Sequence, residues 1–461
     1  MKRNRMRTIS KHVTLMVALI STAGSLSAAE PQKRPNIVLF CSDDHGYRHS
    51  GVYGDPNVRT PNVDRLASEG MRFTHAFAGS PLCSPARSVL HTGLLPFRNG
   101  GHKFSTPIKA GIKTTPEYFR EMGYYTIHVG KFHHSGPDKK TQFKYDQVER
   151  RDSKAAEVIQ SCPDKKPLLI VVCSYDPHTP WKSNSTYEPD QLRLPPHFVD
   201  TPESRKALAD YYTDVTAMDA LLGQVLSALE KRNMVQNTLF VYTTDQGGQL
   251  PFGKWNLYDD GIRVPFIARW PGRIEANTVC DAMISHVDWL PTCIEAAGST
   301  PPADIDGKSI LDVLFGKRKE HREMIFAAHT GNDNGGPNCR NFCPARAVRT
   351  RKHKYILNLE PERKFQTHTT GKDREANPHD YWGSWERKAE TDEPARKLVN
   401  AHYHRPQEEL YDLEKDPFEM NNLIKSPEYE SFLSELRLEM NKWRKQQGDD
   451  VPMNTGPYVK P

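Results

Sequence analysis

Apolar and polar residues are arranged along the chain in blocks that predict β-strands separated by helices. Five continuous apolar runs, rich in β-branched residues, are typical of strands that are buried on both faces. They cover residues 36–41, 125–129, 168–174, 238–243 and 264–268. Helical periodicity is found between these runs, at residues 63–69, 116–122 and 204–232. This order favours an α/β fold in which helices flank a large, mostly parallel sheet.

The pattern changes after about residue 320. Residues 347–357 and 409–413 are predicted to be strands, and residues 428–446 a terminal amphipathic helix. The segment 361–405 between them is polar and poorly periodic. We therefore predict a catalytic domain over residues 33–320 and a smaller C-terminal α+β domain over residues 321–461, which completes the substrate cleft.

The first 29 residues are predicted to be a signal peptide. Basic residues precede an apolar stretch at 13–23, and Ser27, Ala28 and Ala29 supply small residues for a cleavage site. The apolar stretch is shorter than the ~20 residues that a membrane span requires. We therefore expect a secreted or periplasmic protein with no stable membrane insertion.

The predicted signal peptide changes how the charge and the cysteines are interpreted. The formal net charge is +6, but five unopposed positive charges lie in the predicted signal peptide, so the mature protein is near neutral. Nucleic-acid binding therefore gains no support from the charge. An exported chain with eight cysteines can form disulfides, but their connectivity is left open.

Acids, histidines and a lysine follow four of the predicted strands. In chain order these are Asp43 and Asp44, Lys131 and His133, His178, and Asp245 and Gln246. In open α/β sheets, ligands bind beyond the carboxyl ends of the strands. The sequence therefore predicts that these side chains meet at one edge of the sheet.

The segment Cys83-Ser84-Pro85-Ala86-Arg87 resembles the Cys-x-Pro-x-Arg signature of type I sulfatases, whose cysteine is oxidised to formylglycine. The paired aspartates upstream, Gly-Lys-Phe-His at 130–133 and Asp-Gln-Gly at 245–247 extend the resemblance over nearly the whole mature chain. Within the family, the segments at 176–178, 256–258 and 410–412 are most similar to heparan N-sulfatase (sulfamidase)-like sulfatases. The resemblance implies an alkaline-phosphatase-like sandwich.

The resemblance also implies one calcium ion per chain. Its ligands would be Asp43, Asp44, Asp245, Gln246 and the formylglycine made from Cys83. Ligands that offer only oxygen agree with calcium. Gln246 departs from the family pattern, which more often has asparagine or histidine there. Oxidation of the cysteine implies a partner, either a formylglycine-generating enzyme or another sulfatase-maturing enzyme.

Five further residues take catalytic roles from the resemblance. Arg87 would steady the formylglycine alkoxide, Lys131 would bind the sulfate oxygens, and His133 would contact the formylglycine hydroxyl. His178 would contact sulfate and serve as an acid to the leaving group. Lys254 would bind the bridging atom of the scissile bond, where sulfamidase has arginine. A crowded cationic site can lower the pKa of a lysine, so we expect O-sulfate esters to be accepted at least as well as N-sulfoglucosamine.

Six basic residues stand close together in the predicted C-terminal domain: Arg346, Arg349, Arg351, Lys352, His353 and Lys354. In an alternating strand such residues usually form a solvated face, which is the interpretation we favour. Arg346 alone is a candidate for a substrate subsite.

The sequence thus predicts a sulfuric ester or sulfamate hydrolase that acts on a sulfated sugar or polysaccharide. One alternative is a phosphoesterase or phosphonate hydrolase of the same superfamily. Another is a non-catalytic glycan-binding relative in which Cys83 stays a thiol. The sugar, the sulfate position, N- versus O-sulfate, exo versus endo action and the oligomeric state are left open.

Overall fold

The computed structural model of the chain describes residues 34–132, 143–183, 186–331, 343–367, 370 and 380–454. The predicted signal peptide lies outside these residues, so its prediction is untested. Within the described part of the chain, no helix is both long and apolar enough to cross a membrane.

A large sheet of eight strands forms the first part of the fold. Its strands are β1 (Asn36–Ser42), β2 (Met71–Phe77), β3 (Tyr125–Gly130), β4 (Gln147–Glu149), β5 (Leu168–Cys173), β6 (Thr238–Thr244), β7 (Arg263–Arg269) and β8 (Thr278–Ser285). They are ordered β4-β3-β5-β1-β6-β7-β2-β8. β7 runs antiparallel to both of its neighbours, and the other neighbouring pairs are parallel. All five predicted strands are confirmed.

Helices cover both faces of this sheet. In chain order the helices of the protein are α1 (Pro61–Ser68), α2 (Cys83–Thr92), α3 (Pro96–Asn99), α4 (Thr115–Glu121), α5 (Ala155–Ser161), α6 (Pro202–Lys231), α7 (Asp259–Ile262), α8 (Trp289–Ala296), α9 (Leu311–Leu314), α10 (Tyr381–Ala389), α11 (Glu393–Tyr403) and α12 (Glu430–Gln447). Val38 and Phe40 of β1 pack into a core with α1, α5 and α6. Leu39 faces the opposite core, with α4, α8 and α9. Because alternate residues of a strand point to opposite faces, a continuous apolar run suits a sheet that is buried on both sides.

A second, smaller sheet is wholly antiparallel. Its strands are β9 (Ile325–His329), β10 (Ala345–Arg349), β11 (His353–Asn358) and β12 (Glu408–Asp412), in the order β12-β11-β10-β9. α12 packs on this sheet through an apolar core. The single strand predicted at 347–357 is wrong, since a turn at 350–352 divides it into β10 and β11. The domain boundary near residue 320 stays a prediction.

The segment 361–405, which showed little periodicity, contains α10 and α11. Trp382 and Trp385 of α10 are fully buried, and they belong to the same core as α6. The Trp385 ring lies 5.7 Å from the ring of Phe198. The buried face of α10 consists of a few large aromatic residues within a short helix. The sequence therefore lacks the regular apolar repeat of a longer amphipathic helix.

Three residues of the basic cluster are buried, which contradicts the expected solvated face. Arg346 pairs with Asp449 at 2.7 Å, so it is also excluded as a substrate subsite. Arg349 and Lys354 both pair with Asp259, at 3.0 and 2.6 Å. These acids are distant in sequence, and a buried cation needs such a partner.

Candidate active site

Four parallel strands end at one edge of the large sheet, and the residues that follow them converge there. Asp43 follows the end of β1, Lys131 follows β3, His178 follows β5 and Asp245 follows β6. Backbone hydrogen bonds join these ends: the Asp245 N–H donates to the Ser42 carbonyl (3.2 Å), and the Lys131 N–H to the Cys173 carbonyl (2.9 Å). The strand ends predicted to meet at one edge of the sheet are therefore adjacent there.

The four predicted metal ligands that follow β1 and β6 form a buried group of oxygen atoms. The backbone N–H groups of Asp44 and Gln246 both donate to Oδ1 of Asp245, at 3.1 and 2.9 Å. The side-chain amide of Gln246 donates to Asp44. Both carboxylate oxygens of Asp43 and Oε1 of Gln246 are buried, and in the described part of the chain no group donates a hydrogen bond of ordinary geometry to them.

These orphaned oxygens fit a hard divalent cation. A buried oxygen without a donor is costly unless a cation or another donor compensates it. Carboxylate and amide oxygens are the ligands that calcium prefers. One ligand atom from each of Asp43, Asp44 and His178 also lies within 4.8 Å of the other two. The amide nitrogen of Gln246 is held by Asp44, so its oxygen is left available despite the longer side chain.

Arg87 connects the helix of Cys83 to the acids. Cys83 is the first residue of α2, and Arg87 lies one turn later, where both side chains can face the same site. The Arg87 guanidinium contacts Asp245 Oδ2 at 3.0 Å and Asp43 Oδ2 at 3.9 Å. Its side chain is only 4% exposed, so solvent screens these contacts little.

The thiol of Cys83 is a weak nucleophile in this environment. The residue is 2% exposed. Burial raises the pKa of the Cys83 thiol above its usual value, although Lys254 and Lys131 oppose the rise. Because the thiolate is the nucleophilic form of cysteine, an unmodified Cys83 would be poorly reactive near neutral pH.

The crowded carboxylates titrate in opposite directions. Burial disfavours the charge on Asp43, but Lys131 and then His178 hold the pKa of this carboxyl well below its usual range. Burial and the nearby Asp43 raise the pKa of Asp245 to about 8. Two acids this close cannot both ionise easily without added positive charge. A bound divalent cation would favour the ionised form of Asp245 and so lower this pKa.

Two lysines approach the acids from different loops. Nζ of Lys131 contacts Asp43, and Nζ of Lys254 lies 2.7 Å from Asp44 Oδ2. Burial would lower the pKa of Lys254, but Asp44 raises it above its usual value. The lowered pKa expected from a crowded cationic site is therefore wrong, because the sequence did not reveal the contact with Asp44. Lys254 is a cation at neutral pH.

The remaining predicted histidines have different outcomes. His178 Nε2 lies 3.9 Å from Asp44 Oδ2, and its side chain is 33% exposed, so it stands on the open side of the site. Burial and Lys254 lower the pKa of His178. His133 lies outside the described residues, so its proposed role is untested.

Sequence reasoning missed two residues that hold the loop of Lys254. Asn256 donates to the Lys254 carbonyl at 3.0 Å, and the Arg405 guanidinium donates to the Asn256 side chain. Arg405 is also 3.6 Å from the ring centre of Phe365 and 5.3 Å from that of Tyr258. The family resemblance included the segment 256–258 but gave Asn256 no role, and no sequence signal singled out Arg405.

Comparison with known proteins agrees with this geometry. Residues 35–299 match the family model described as Sulfatase. Residues 247–393 match the model described as N-sulphoglucosamine sulphohydrolase, C-terminal. The chain therefore belongs to the sulfatase family, and it is an enzyme of that family.

Individual relatives support the same conclusion, and a solved structure supports the fold. An ulvan-active sulfatase of Formosa agariphila is 32% identical over 92% of this chain and 82% of its own length. The N-acetylgalactosamine-6-sulfatase of Canis lupus familiaris is 30% identical over 67% of this chain and 71% of its own. A structure described as bound to its substrate D-glucosamine-2-N,6-O-disulfate gives a TM-score of 0.70 at 21% identity, covering 92% of this chain and all of that one. The predicted sandwich fold is confirmed.

Proposed function

We propose that this sulfatase removes sulfate from a sulfated carbohydrate and uses formylglycine, formed from Cys83, as its nucleophile. The observation that carries the proposal is the position of Cys83. It begins α2 one turn before Arg87, and Arg87 is bound to Asp245 inside a buried group of acids and lysines. The sulfated glycans in the names of the relatives support a carbohydrate substrate. A hydrated aldehyde at this position supplies two hydroxyls on one carbon, one for attack on sulfur and one for the later release of sulfate.

Asp43, Asp44, Asp245, Gln246 and the modified residue 83 would hold one calcium ion. Their oxygen-only donor set and the orphaned oxygens of Asp43 and Gln246 support this assignment. The ion would supply positive charge for the sulfate oxygens and for a neighbouring hydroxyl.

The chain's own cations would bind the sulfate and the charge that develops in the reaction. Lys131 approaches from the end of β3, and Lys254 from the loop between β6 and α7. Arg87 would hold the oxygen on residue 83 in its ionised form. Preorganised cations in a dry site stabilise developing anionic charge far better than water does.

His178 would donate the proton that the departing sugar oxygen or nitrogen needs. It is the partly exposed member of the group, and the nearby carboxylates of Asp44 and Asp43 favour its protonated form against the effects of burial and Lys254. A proton donor at the open side of the site can reach the leaving group while the buried cations hold the sulfate. His133 would contact the formylglycine hydroxyl.

Export and maturation complete the proposal. The signal peptide at residues 1–29 would send the protein to the periplasm or the exterior. A formylglycine-generating or other sulfatase-maturing enzyme would oxidise Cys83. Residues 33–320 would form the catalytic domain, and residues 321–461 the domain that completes the cleft.

Mass spectrometry of the peptide around residue 83 tests the nucleophile. The protein is expressed together with a formylglycine-generating enzyme. Conversion of the thiol to an aldehyde should lower the peptide mass by about 18 Da, and Cys83→Ala should abolish turnover without unfolding the protein. An active enzyme with only unmodified Cys83 would disprove the proposal.

A panel of sulfated mono- and disaccharides tests the substrate class. It includes glucosamine N-sulfate and hexosamines with sulfate at the 2-, 3- or 6-oxygen, together with an aryl phosphate and a phosphonate ester. We expect sulfate release from at least one sugar at a kcat/KM well above that for either phosphorus ester. Preference for a phosphorus ester would favour the phosphoesterase alternative.

A further inference from the structure

Two residues outside the buried group flank Lys131 at the edge of the sheet. β3 lies between β4 and β5, with Val129 opposite Glu149 on one side and Val172 on the other. Arg150 is the residue after β4. Tyr175 stands two residues after β5 ends. Since neighbouring strands lie about 4.8 Å apart, both side chains start close to Lys131.

Tyr175 is an exposed aromatic residue at the open side of the site. Its exposed fraction is 45%, and it is the only aromatic among the exposed large hydrophobic residues in the described part of the chain. Its backbone is fixed: the N–H donates to Asp152 at 2.9 Å, and the carbonyl accepts from the His178 N–H at 3.1 Å. The backbone of Tyr175 is therefore tied to that of a proposed catalytic residue, His178.

Arg150 is an exposed cation close to Lys131. Within the described ranges, no acid lies within ion-pair distance of its guanidinium, which is 5.8 Å from the ring centre of Phe132. The next residue differs in this respect, because Arg151 pairs with Glu149 at 3.0 Å. Among the described residues, Arg150 therefore offers an unpaired positive charge near Lys131, and Arg151 does not.

We propose that Tyr175 and Arg150 form a binding subsite for the sugar next to the one that carries the scissile sulfate. The Tyr175 ring packs against the apolar face of that sugar, and Arg150 pairs with its carboxylate or second sulfate. The substrate class is therefore a polyanionic saccharide of at least two sugars. This inference rests on the proposed sulfatase activity on carbohydrates.

The chemistry of the two side chains suits this ligand. A tyrosine ring offers a rigid apolar face at little cost in side-chain entropy. Arginine binds carboxylate and sulfate oxygens through two parallel N–H donors. Both residues are exposed, so their effects are moderate and the charged contact weakens with salt.

The test measures kcat/KM on three disaccharides built on the sulfated monosaccharide that the wild type hydrolyses fastest in the panel above. The neighbouring sugar is glucuronate, its methyl ester, or a sulfated hexose. The carboxylate and its ester have nearly the same shape, so their ratio isolates the anion. The sulfated neighbour shows which anion Arg150 prefers. The wild type should prefer an anionic neighbour to the ester by about fivefold, the scale of an exposed arginine–carboxylate pair.

Variants then assign this preference to residues. Arg150→Ala should reduce the ratio to about one, whereas the matched control Arg151→Ala should keep the ratio. Tyr175→Ala should lower kcat/KM about tenfold on all three disaccharides and leave the monosaccharide unchanged, and Tyr175→Phe should retain wild-type values.

Two outcomes separate the subsite from the proposed function. A wild type that hydrolyses the ester and the acids equally well would overturn the subsite alone, and so would a preference that survives in Arg150→Ala. A wild type that hydrolyses no sulfated sugar at all would overturn the proposed function, and the subsite with it.

Discussion

The Arg87 guanidinium holds Oδ2 of Asp245 through two contacts of 3.0 Å, one from Nε and one from Nη2. The contact joins the helix that begins at Cys83 to the carboxylate that follows β6. The nucleophile and the acids are therefore fixed relative to each other by a buried ion pair.

Asp245→Asn should lower kcat by at least about 100-fold, because it removes a metal ligand and the charge that Arg87 contacts. Thermal unfolding should show a folded protein with a lower Tm, since Arg87 keeps only its longer contacts with Asp43 and the Ser42 carbonyl. Elemental analysis should show reduced calcium. A variant with wild-type kcat and no bound metal would contradict both the ligand role and the charge argument.

Removal of divalent cations should inactivate the enzyme and lower its stability. Oδ1 of Asp43 and Oε1 of Gln246 would then be buried without a partner among the described residues, and Lys131 and Arg87 would contact only Oδ2 of Asp43. Calcium should restore both properties better than magnesium, because it accepts more oxygen ligands at longer distances. At a hundredfold excess over Kd the ion should add about 2.7 kcal/mol to the free energy of unfolding. An unchanged Tm in chelator, with metal absent by elemental analysis, would argue against the site.

Lys254→Arg should keep the ratio of rates on glucosamine N-sulfate and 6-O-sulfate within about threefold of wild type. Lys254 contacts Asp44 at 2.7 Å as a cation, and arginine preserves that charge. Lys254→Met should lower kcat about 100-fold, since it leaves Asp44 with less positive charge nearby. A shift of more than tenfold in the ratio for Lys254→Arg would show that lysine transfers a proton to the oxygen leaving group.

Arg405→Ala should reduce kcat more than KM. The guanidinium holds Asn256, and Asn256 holds the carbonyl of Lys254, so Arg405 is a positioning residue. The loss should grow as the leaving group becomes more basic, because Lys254 is expected to act at the bridging atom. The matched control is Arg396→Ala, which removes a guanidinium that donates to the Ala389 carbonyl. Equal losses in both variants would indicate a general effect on stability.

Asp259→Ala should destabilise the fold by about 3–5 kcal/mol, because it leaves Arg349 and Lys354 buried without this counter-charge. Asp281→Ala is the control, since Asp281 pairs with Arg351 at the surface and should cost less than about 1 kcal/mol. Urea unfolding measures both. Similar values for the two variants would contradict the importance of the buried cluster.

The strands and the polar edge were predictable because they depend on local pattern and on sheet geometry. A continuous apolar run such as 238–243, bounded by polar residues, is typical of a buried strand in an α/β chain. Asp43 and Asp245 meet because each follows a parallel strand, and β1 and β6 are neighbours. The functional roles of these residues came from the family resemblance, and they stay predictions.

The errors concern contacts between residues that are distant in sequence. No neighbouring residue in the sequence indicates that Lys354 is buried against Asp259. Likewise, none indicates that Lys254 contacts Asp44. β8 was missed because Asp281 lies in its middle, so the strand has no continuous apolar run in the sequence. Such features depend on which surfaces the complete fold brings together, which local periodicity does not encode.

The reversed direction of β7 has a consequence for how this enzyme can change over evolution. β6 ends at the edge of the sheet where the active-site residues lie, and its antiparallel neighbour β7 begins at the same edge. The connection that contains Lys254 therefore joins two adjacent strand ends. Such a connection can lengthen, shorten or exchange residues without rerouting a helix across the sheet. Lys254, the proposed contact to the bridging atom, is therefore carried on an exchangeable hairpin-like segment, whereas Asp43, Lys131 and His178 follow strands whose crossovers pass through the helical layers. The residue at position 254 can therefore change while Asp43, Lys131 and His178 keep their positions.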